Sequence, residues 1–127
     1  MLQVIEALKW RYATKKFDNK RMLSTAQIDI LKNAFNLTAT SFGLQPVRLV
    51  IISDKQQQEA LVPVTMNQQQ VVDASHVLVF CIEKNVDGTY VEDYFNNVKA
   101  TRNTPDEVLK PFKDYLLDHF KNVSVAD

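Results

Sequence analysis

The sequence predicts an α+β fold in which several helices pack around a small sheet. Two apolar runs of strand length, 47–53 and 76–82, are rich in β-branched residues and have the pattern of buried strands. The segments around them place apolar residues at helical spacing. With 127 residues, the chain has the length of one domain with a moderate core, so we expect a single domain over residues 1–127.

Two helices are predicted before the first strand. The first covers 2–10, where apolar residues recur close to helical spacing. The second begins after Ser24, because Ser24 followed three residues later by Gln27 is a capping-box pattern. Its apolar positions are Ile28, Ile30, Leu31, Ala34 and Phe35.

Between the two strands, the sequence predicts shorter helical segments. Asp54 is a suitable N-cap for a helix that runs to Leu61 and is broken at Pro63. The glutamine-rich piece around Asn67 and Gln70 is predicted to be a loop that passes into a helical turn.

Two longer helices are predicted after the second strand. Asp87-Gly88 predicts a turn, and the segment 90–102 has the apolar spacing of a helix. Thr104-Pro105 predicts the next helix start, with Pro105 at the first helical position and acidic residues in the first turn. Because Pro111 lies inside that pattern, we expect it to kink the helix or to delay its start.

The predicted sheet is small, since a sheet of only two strands is marginally stable. Both strand runs are apolar on two faces and therefore need neighbouring strands. The sequence thus predicts that the sheet is completed either by another chain or by strands that this chain lacks.

The charge and cysteine content restrict the partners and the compartment. Fifteen basic and fifteen acidic residues give no net charge, so no global field favours nucleic acid or an anionic membrane. Cys81 is the single cysteine and cannot form an internal disulfide, and we expect a small buried apolar residue in a cytoplasmic protein. The sequence has no metal-ligand spacing and no apolar run of membrane-spanning length.

The most distinctive segment is the basic run 11–17, Arg-Tyr-Ala-Thr-Lys-Lys-Phe. It places Arg11 and Lys15 four positions apart, with no carboxylate inside the run. Fixed positive charges together with backbone N–H donors make an anion site, for which a phosphate monoester is a suitable ligand. A solvated surface is the alternative, because most basic runs have that role.

A second polar segment, 38–46, joins the capped helix to the first strand. Loops at strand ends are where α/β proteins place ligands. Thr40 and Ser41 offer hydroxyls, Gly43 permits close approach of a ligand to the backbone, and Gln45 has both donor and acceptor groups. An ordinary polar loop is the alternative interpretation.

A third polar segment precedes the second strand. The side-chain amides of Asn67 and Gln70 are able to bond the amide edge of a heterocycle, although such residues alone are more typical of a solvated surface. Taken in order, the segments 11–18, 40–46 and 67–76 resemble the FMN-dependent nitroreductases, which are NAD(P)H-using flavin oxidoreductases. The resemblance covers most of residues 1–85.

The resemblance implies a nitroreductase-like fold, with helices packed around a central, mostly antiparallel sheet that further strands or a partner chain complete. It also implies a homodimer with a flavin site at the interface. Chains of this family run considerably further, adding strands and late basic residues. We therefore expect this chain to be a truncated or processed form, incomplete at its C-terminus.

The resemblance also implies roles for individual residues. Arg11 would bind the FMN phosphate, Ala13 would lie against the ribityl chain, and Lys15 would reach toward the pyrimidine edge. Asn67 and Gln70 would bond the pyrimidine side. From the partner subunit, the flavin ring would be lined by Ala39, Thr40, Ser41 and Gly43. The implied cofactor-binding positions are Arg11, Tyr12, Ala13, Lys15, Ala39, Thr40, Ser41, Gly43, Gln45, Asn67 and Gln70.

One implied position departs from part of the family. Some members carry lysine where this chain has Gln70, and a neutral amide there would stabilise negative charge on the reduced flavin less strongly. Lys15 is then the best placed cation for that task.

The implied function is an FMN-dependent oxidoreductase that transfers hydride from NADH or NADPH, through the flavin, to a nitroaromatic, a quinone or a similar small acceptor. Because the flavin supplies the chemistry, no catalytic side chain is expected. Two alternatives stay open. One is a flavin-free member that acts in binding or assembly, because the late flavin-binding part is absent; the other is a small phosphate- or nucleotide-binding module.

Overall fold

The computed structural model of the chain describes residues 2–121, without the side chain of Leu2. Within that range the chain forms six helices, two strands and two short 3-10 turns, which confirms the predicted α+β class. The helices are α1 (Leu2–Trp10), α2 (Thr25–Leu37), α3 (Lys55–Leu61), α4 (Gln70–Asp73), α5 (Gly88–Arg102) and α6 (Asp106–Phe120). The strands are β1 (Val47–Ile52) and β2 (Val77–Ile82), and the 3-10 turns are Ser41–Gly43 and Val62–Val64.

The two strands pair with each other, and their bounds lie within one residue of the prediction. They run antiparallel, because the ladder continues past β2 to a bond from Glu83 N to Pro46 O, just before β1 begins (2.9 Å). Cys81 lies on β2 and is half-buried rather than fully buried as expected. Its neighbours Phe80 and Ile82 are exposed, so the strand is not covered on both faces in this chain.

Two compact units make up the chain. The first unit contains the residues up to 32 and the segment 50–79, and the second contains 33–49 and the residues from 80 onward. Each unit holds one half of β1 and one half of β2. In the described part of the first unit, the buried side chains are those of Ile28 and Gln58, and Gln58 is completely inaccessible.

The second unit has an apolar core of its own. Helices α5 and α6 pack against each other, and Leu44, Val91, Phe95 and Leu116 are buried between them and the preceding loop. Partly buried residues surround this cluster: Val86, Tyr90, Tyr94, Leu109, Leu117 and Phe120. Since each fully buried large apolar side chain contributes about 1.5–3 kcal/mol, this cluster stabilises the second unit substantially.

Local capping patterns predicted two helix starts correctly. Ser24 N donates to Gln27 Oε1 (2.9 Å) and Gln27 N donates back to Ser24 Oγ (3.3 Å), which is the expected capping box at α2. Asp54 Oδ1 accepts from Gln57 N (2.9 Å) and caps α3. At both sites the bonding groups lie three residues apart, so the sequence alone specifies them.

The prediction of a turn at Asp87-Gly88 is wrong. Gly88 is the first residue of α5, two positions before the predicted start, and Asp87 is its N-cap. The carboxylate of Asp87 accepts from Tyr90 N (3.0 Å), and this bond satisfies an otherwise unpaired N–H of the first turn. The same two residue types are common in turns and at helix starts, which explains the error.

The start of α6 also differs from the prediction. Pro105 occupies the N-cap position, and Asp106 is the first helical residue. Pro111 lies inside a continuous helix and neither ends it nor delays its start. Proline removes one backbone donor there, while Leu109, Leu116, Leu117 and Phe120 of the same helix pack onto the apolar core. Tertiary packing therefore outweighs the local cost.

Candidate functional site

The basic run follows α1 as an irregular, exposed segment. Arg11 N donates to Ala7 O (3.0 Å) and closes the last turn of α1, after which residues 12–18 have no regular structure. The side chains of the run are exposed, and Tyr12 retains 72% of its accessible surface. The basic run therefore lies on the surface of the first unit.

The predicted anion-binding cations have no internal partner among the described residues. Neither Arg11 nor Lys15 forms an ion pair or a side-chain hydrogen bond there, whereas the nearby Lys9 bonds Glu6 (3.1 Å). Two exposed cations on one short segment, with no carboxylate to neutralise them, are available to an anion. This agrees with an anion site and equally with a solvated surface.

The loop 40–45 of the second unit is closed by its own polar groups. Gln45 N donates to Thr40 Oγ1 (2.9 Å), and the side chain of Gln45 donates through Nε2 to Asn36 O (3.2 Å). The hydroxyl hydrogen of Thr40 and the amide oxygen of Gln45 are not used in these bonds. Ser41 Oγ has no hydrogen bond within residues 2–121.

Three residues of this loop have left-handed backbone conformations: Phe42 (φ 57°), Gly43 (φ 71°) and Gln45 (φ 49°). A positive φ is unfavourable for a bulky residue such as Phe42, and such strain concentrates at ligand-binding segments. At Gly43 the conformation rather than crowding requires glycine, because an added Cβ would lie 3.6 Å from the Tyr94 hydroxyl.

Tyr90 supports the same loop and was not predicted as a site residue. Its hydroxyl lies 3.0 Å from Leu44 O and 3.2 Å from Gln45 O and donates to these carbonyls. Burial, followed by the neighbouring carboxylate of Glu83, raises the pKa of Tyr90. In sequence, Tyr90 fits the apolar face of α5, and no local pattern indicates a partner 45 positions away.

A cavity of about 350 Å³ lies beside this support. Its lining residues are Leu44, Gln45, Arg48, Tyr90, Asp93, Tyr94 and Asn97. Arg48, the one charged residue of β1, pairs through Nε with Glu83 Oε1 (2.7 Å). Its charge is therefore partly neutralised within the chain.

The third segment has the predicted form of a loop leading into a helical turn. Asn67 lies in the loop with a left-handed backbone (φ 54°), as does Met66 before it (φ 57°), and Gln70 is the first residue of α4. Asn67 is exposed and Gln70 is half-buried. Their side-chain amides make no hydrogen bonds with the described residues, so both retain their full bonding capacity.

The structure brings the end of the basic run next to the end of the third segment. Ser75 Oγ accepts from Leu23 N (2.8 Å) and lies 2.6 Å from His76 Nδ1. A cavity of about 320 Å³ is shared by the two segments. Its lining residues are Lys16, Phe17, Asp18, Arg21, Leu23, Ala74, Ser75 and His76.

Other predicted pairs are not joined. No hydrogen bond or ion pair links Arg11 or Lys15 to Asn67 or Gln70 within residues 2–121. The implied positions 39–45 belong to the second unit, and the other implied positions belong to the first.

Aromatic rings surround Phe42 in the second unit. Its ring centroid lies 5.3 Å from that of His119, 6.3 Å from that of Tyr115 and 6.2 Å from that of Phe120, in edge-on geometry. Tyr115 also stacks with Phe112, and 54% of Tyr115 is exposed. Flat apolar surface is thus available beside the loop that carries Ser41 and Gly43.

The described residues offer neither a metal centre nor a membrane-spanning helix. Among the described residues, no three His, Cys, Asp or Glu side chains converge as metal ligands would. Every helix within residues 2–121 is too short or too polar to span a membrane.

Comparison with known proteins places these segments in a family context. Residues 8–119 match the sequence profile of the nitroreductase family. The oxygen-insensitive NAD(P)H nitroreductase of Salmonella typhimurium is 27% identical over 96 residues, which are 72% of this chain and 44% of that protein. The chain spans about half the length of the curated relatives it matches.

Solved structures share the fold. A nitroreductase-like protein from Streptococcus mutans superposes with a TM-score of 0.78 at 19% identity, over 94% of this chain and 58% of that chain. A protein from Exiguobacterium sibiricum, solved in complex with FMN, superposes with a TM-score of 0.75 at 20% identity, over 95% of this chain and 58% of that chain. At these identities the likeness establishes the nitroreductase-like fold.

Proposed function

The chain belongs to the nitroreductase family, and from this premise we propose that the protein is an oxidoreductase that binds FMN and uses NADH or NADPH. The observation that carries the proposal is the pair of exposed cations, Arg11 and Lys15, without a partner among the described residues. In a chain of zero net charge, such cations attract an anion only locally, and the family match favours an anionic cofactor over a solvated surface. FMN, with its phosphate, is such a cofactor.

The donor set fits FMN. Arg11 would hold the phosphate, and Tyr12 and Ala13 would lie along the ribityl chain. Lys15 would reach toward the ribityl chain and the pyrimidine edge of the flavin. Asn67 and Gln70 would bond the pyrimidine side, and their unengaged side-chain amides support this role. When bound, FMN accepts a hydride from NAD(P)H and passes electrons to an acceptor.

The loop of the second unit would line the flavin ring from the partner subunit. The positions concerned are Ala39, Thr40, Ser41, Gly43 and Gln45. The left-handed backbone of the loop supports this role, because strained conformations persist where a ligand site requires them. The protein's contribution would be to bind and orient the cofactor and the acceptor and to exclude water from them.

We propose a homodimer because α1 exposes most of its apolar side chains. Val4, Ile5, Leu8 and Trp10 are all exposed, Trp10 by 81%. Apolar residues grouped on one helix mark an interaction surface, and a second copy of the chain would cover it. The single domain, with a sheet completed by further strands or by the partner, and the cytoplasmic location stay predictions.

The proposed acceptor is a nitroaromatic, a quinone or a similar planar molecule. The exposed ring of Tyr115, with Phe112 and Phe42 beside it, supports stacking of such a molecule. Choice between acceptors within this class would depend on the residues around these rings.

Purified protein tests the proposal through its visible spectrum and its activity. We expect the absorbance of bound flavin, either as isolated or after addition of FMN, and oxidation of NADH or NADPH that depends on an added nitroaromatic or quinone. A protein that stays colourless after addition of FMN would contradict the proposal and favour a flavin-free binding role.

A further inference from the structure

The segment that carries Asn67 and Gln70 contains a helix too short to be stable alone. Helix α4 has four residues, Gln70–Asp73, and a single turn is unfavourable without external support. Ala74 N donates to Gln70 O (2.9 Å), which leaves the following carbonyls of the turn without intrahelical donors. Two of these carbonyls, those of Val71 and Val72, and the carbonyl of Ala74 just after the helix accept hydrogen bonds from side chains of α3.

Lys55, the first residue of α3, supplies one set of donors. Its ammonium group donates to Val72 O and Ala74 O, both at 2.7 Å, from a half-buried position. Hydrogen bonds from a charged group are roughly twice as strong as neutral ones. The lysine therefore ties the end of α4 firmly to α3.

Gln58, one turn further along α3, supplies a second set. Its Nε2 donates to Val71 O and Ala74 O, both at 3.0 Å, and the side chain is completely buried. Its Oε1 has no hydrogen-bond partner within residues 2–121. Because a buried oxygen without a hydrogen bond has lost its contact with water, Gln58 Oε1 lowers the stability of the folded chain. An apolar side chain of similar length would avoid that cost but would lose both bonds to α4.

The other end of the segment is also tied to the end of α3. Asn67 N donates to Val62 O (3.0 Å), and Thr65 Oγ1 donates to Leu61 O (2.9 Å). Asn67 is thus held in its left-handed conformation by a backbone bond. Both ends of the segment 65–74 are fixed to one neighbouring helix.

We propose that Lys55 and Gln58 are positioning residues, which fix the segment 67–74 so that Asn67 and Gln70 present their side chains to the pyrimidine side of the flavin. The inference rests on the proposed function, because it requires that these two residues bind FMN. Lys55 and Gln58 themselves act only through carbonyls of the segment. By fixing the segment before FMN binds, they would reduce the conformational entropy that the segment loses on binding.

Lys55→Met and Gln58→Met remove the donors while keeping the length of each side chain. The matched controls are Gln56→Met, on an exposed position of the same helix, and Lys84→Met, on an exposed lysine without an ion pair among the described residues. Lys55→Arg keeps a charged donor and serves as the rescue variant. Gln58→Met also removes the unpaired Oε1, which offsets part of the lost hydrogen bonding. We therefore expect a small change in the free energy of unfolding even though exchange of the 71–74 amides becomes faster.

Two measurements on the full chain decide the inference. The first is amide hydrogen exchange without FMN, in which we expect exchange of residues 71–74 to rise about tenfold in both Met variants and to stay unchanged in the controls. The second is equilibrium FMN binding, where we expect Kd to rise about tenfold in Lys55→Met and to recover in Lys55→Arg. Changed absorption maxima of the bound flavin would accompany the rise, since they report hydrogen bonds at the ring.

The outcomes separate the inference from the proposed function. Unchanged exchange of residues 71–74 in both Met variants overturns the positioning role, whether or not FMN binds. Faster exchange with unchanged FMN affinity and spectrum also overturns it, because the segment would then be held for the fold alone. If the unmodified protein does not bind FMN, the proposed function fails, and the flavin-directed role of Lys55 and Gln58 fails with it.

Discussion

The two units of the chain differ in what their buried side chains do. In the second unit, the fully buried residues are apolar and hold α5 and α6 together, with Leu116 and Val91 completely inaccessible. In the first unit, one of the buried side chains is the polar Gln58, which bonds the backbone of α4. The second unit is thus organised around an apolar cluster, and the first around hydrogen bonds that fix a loop.

The difference suggests that the core of the second unit determines stability, whereas the basic run of the first unit determines ligand binding. Six of the eleven positions implied to hold FMN, including the basic run, lie in the first unit, where Trp10 and Tyr12 are among the most exposed aromatic residues. Exposed apolar surface of that kind marks contact with other molecules. Changes in the second unit's core should therefore reduce the free energy of unfolding, whereas changes in the basic run should alter ligand binding alone.

The largest effect is expected from Leu116→Ala in the core of the second unit. Removing a fully buried leucine side chain should destabilise the protein by about 2–5 kcal/mol, because apolar contact is lost and a cavity remains. Urea unfolding followed by circular dichroism measures this. Val108→Ala, an exposed position of the same helix, is the control and should change the free energy of unfolding little. Equal effects of both variants would remove the contrast between the units.

Arg11→Ala tests the other side of the comparison. We expect FMN binding to weaken by about 1.5–3 kcal/mol, because a charge-assisted hydrogen bond to the phosphate is lost. The free energy of unfolding should stay the same, since Arg11 is exposed and has no ion pair among the described residues. Calorimetric FMN titration measures the first quantity and urea unfolding the second.

The control for this variant is Arg102→Ala, which removes an exposed arginine at the end of α5. It should leave FMN binding unchanged. Equal losses of affinity in the two variants would show that general charge, rather than the basic run, attracts the cofactor.

Tyr90→Phe is expected to have an intermediate effect. The hydroxyl that bonds Leu44 O and Gln45 O is lost, which should destabilise the protein by about 0.5–1.5 kcal/mol. Tyr94→Phe is the matched control, because the Tyr94 hydroxyl has no hydrogen bond within residues 2–121. If thermal or urea unfolding gives the same stability for the two variants, Tyr90 does not support the loop.

The contribution of Tyr90 should also depend on pH. Its pKa is raised in the folded chain, mainly by burial and then by Glu83, so folding favours the protonated phenol. The contribution is fully present below the ordinary tyrosine pKa of about 10 and is lost as the pH rises from there through the raised pKa. The difference in unfolding free energy between the unmodified protein and Tyr90→Phe should shrink in that range. A constant difference would contradict the role of the phenol.

The smallest effect is expected for Arg48→Met. The Arg48–Glu83 pair is largely exposed on the arginine side and should contribute only about 0.2–1 kcal/mol. Salt should reduce this contribution further, because exposed charges are screened. Urea unfolding at low and high ionic strength measures it. A loss above about 2 kcal/mol would place the pair among the main stabilising interactions of the second unit, beside its apolar cluster.

Contacts within a few residues were predictable from sequence, and distant ones were not. The capping box at Ser24 and the cap at Asp54 use groups three positions apart, and both were predicted. Asp87 also acts within three positions, but its residue type suits a turn equally well. The bonds of Tyr90 to the 44–45 backbone depend on how the helices pack, for which a sequence pattern of 3.6 residues gives no information.

Some features of the candidate site were likewise predictable from sequence, and others were not. The motifs indicated the family, which the sequence comparison confirmed. The left-handed loop conformations and the bonds of Lys55 to the end of α4 became visible only in the structure, because they join elements that are separate in sequence. The cofactor roles of Arg11, Lys15 and the other implied positions stay predictions.

The most direct test of the central claim, that the basic run holds the phosphate of a flavin, is an equilibrium titration of the protein with FMN and with riboflavin, which lacks the phosphate. We predict saturable FMN binding, with riboflavin bound at least about tenfold more weakly because Arg11 has no phosphate to contact. Equal affinity for the two flavins, or no binding of either, would contradict the account.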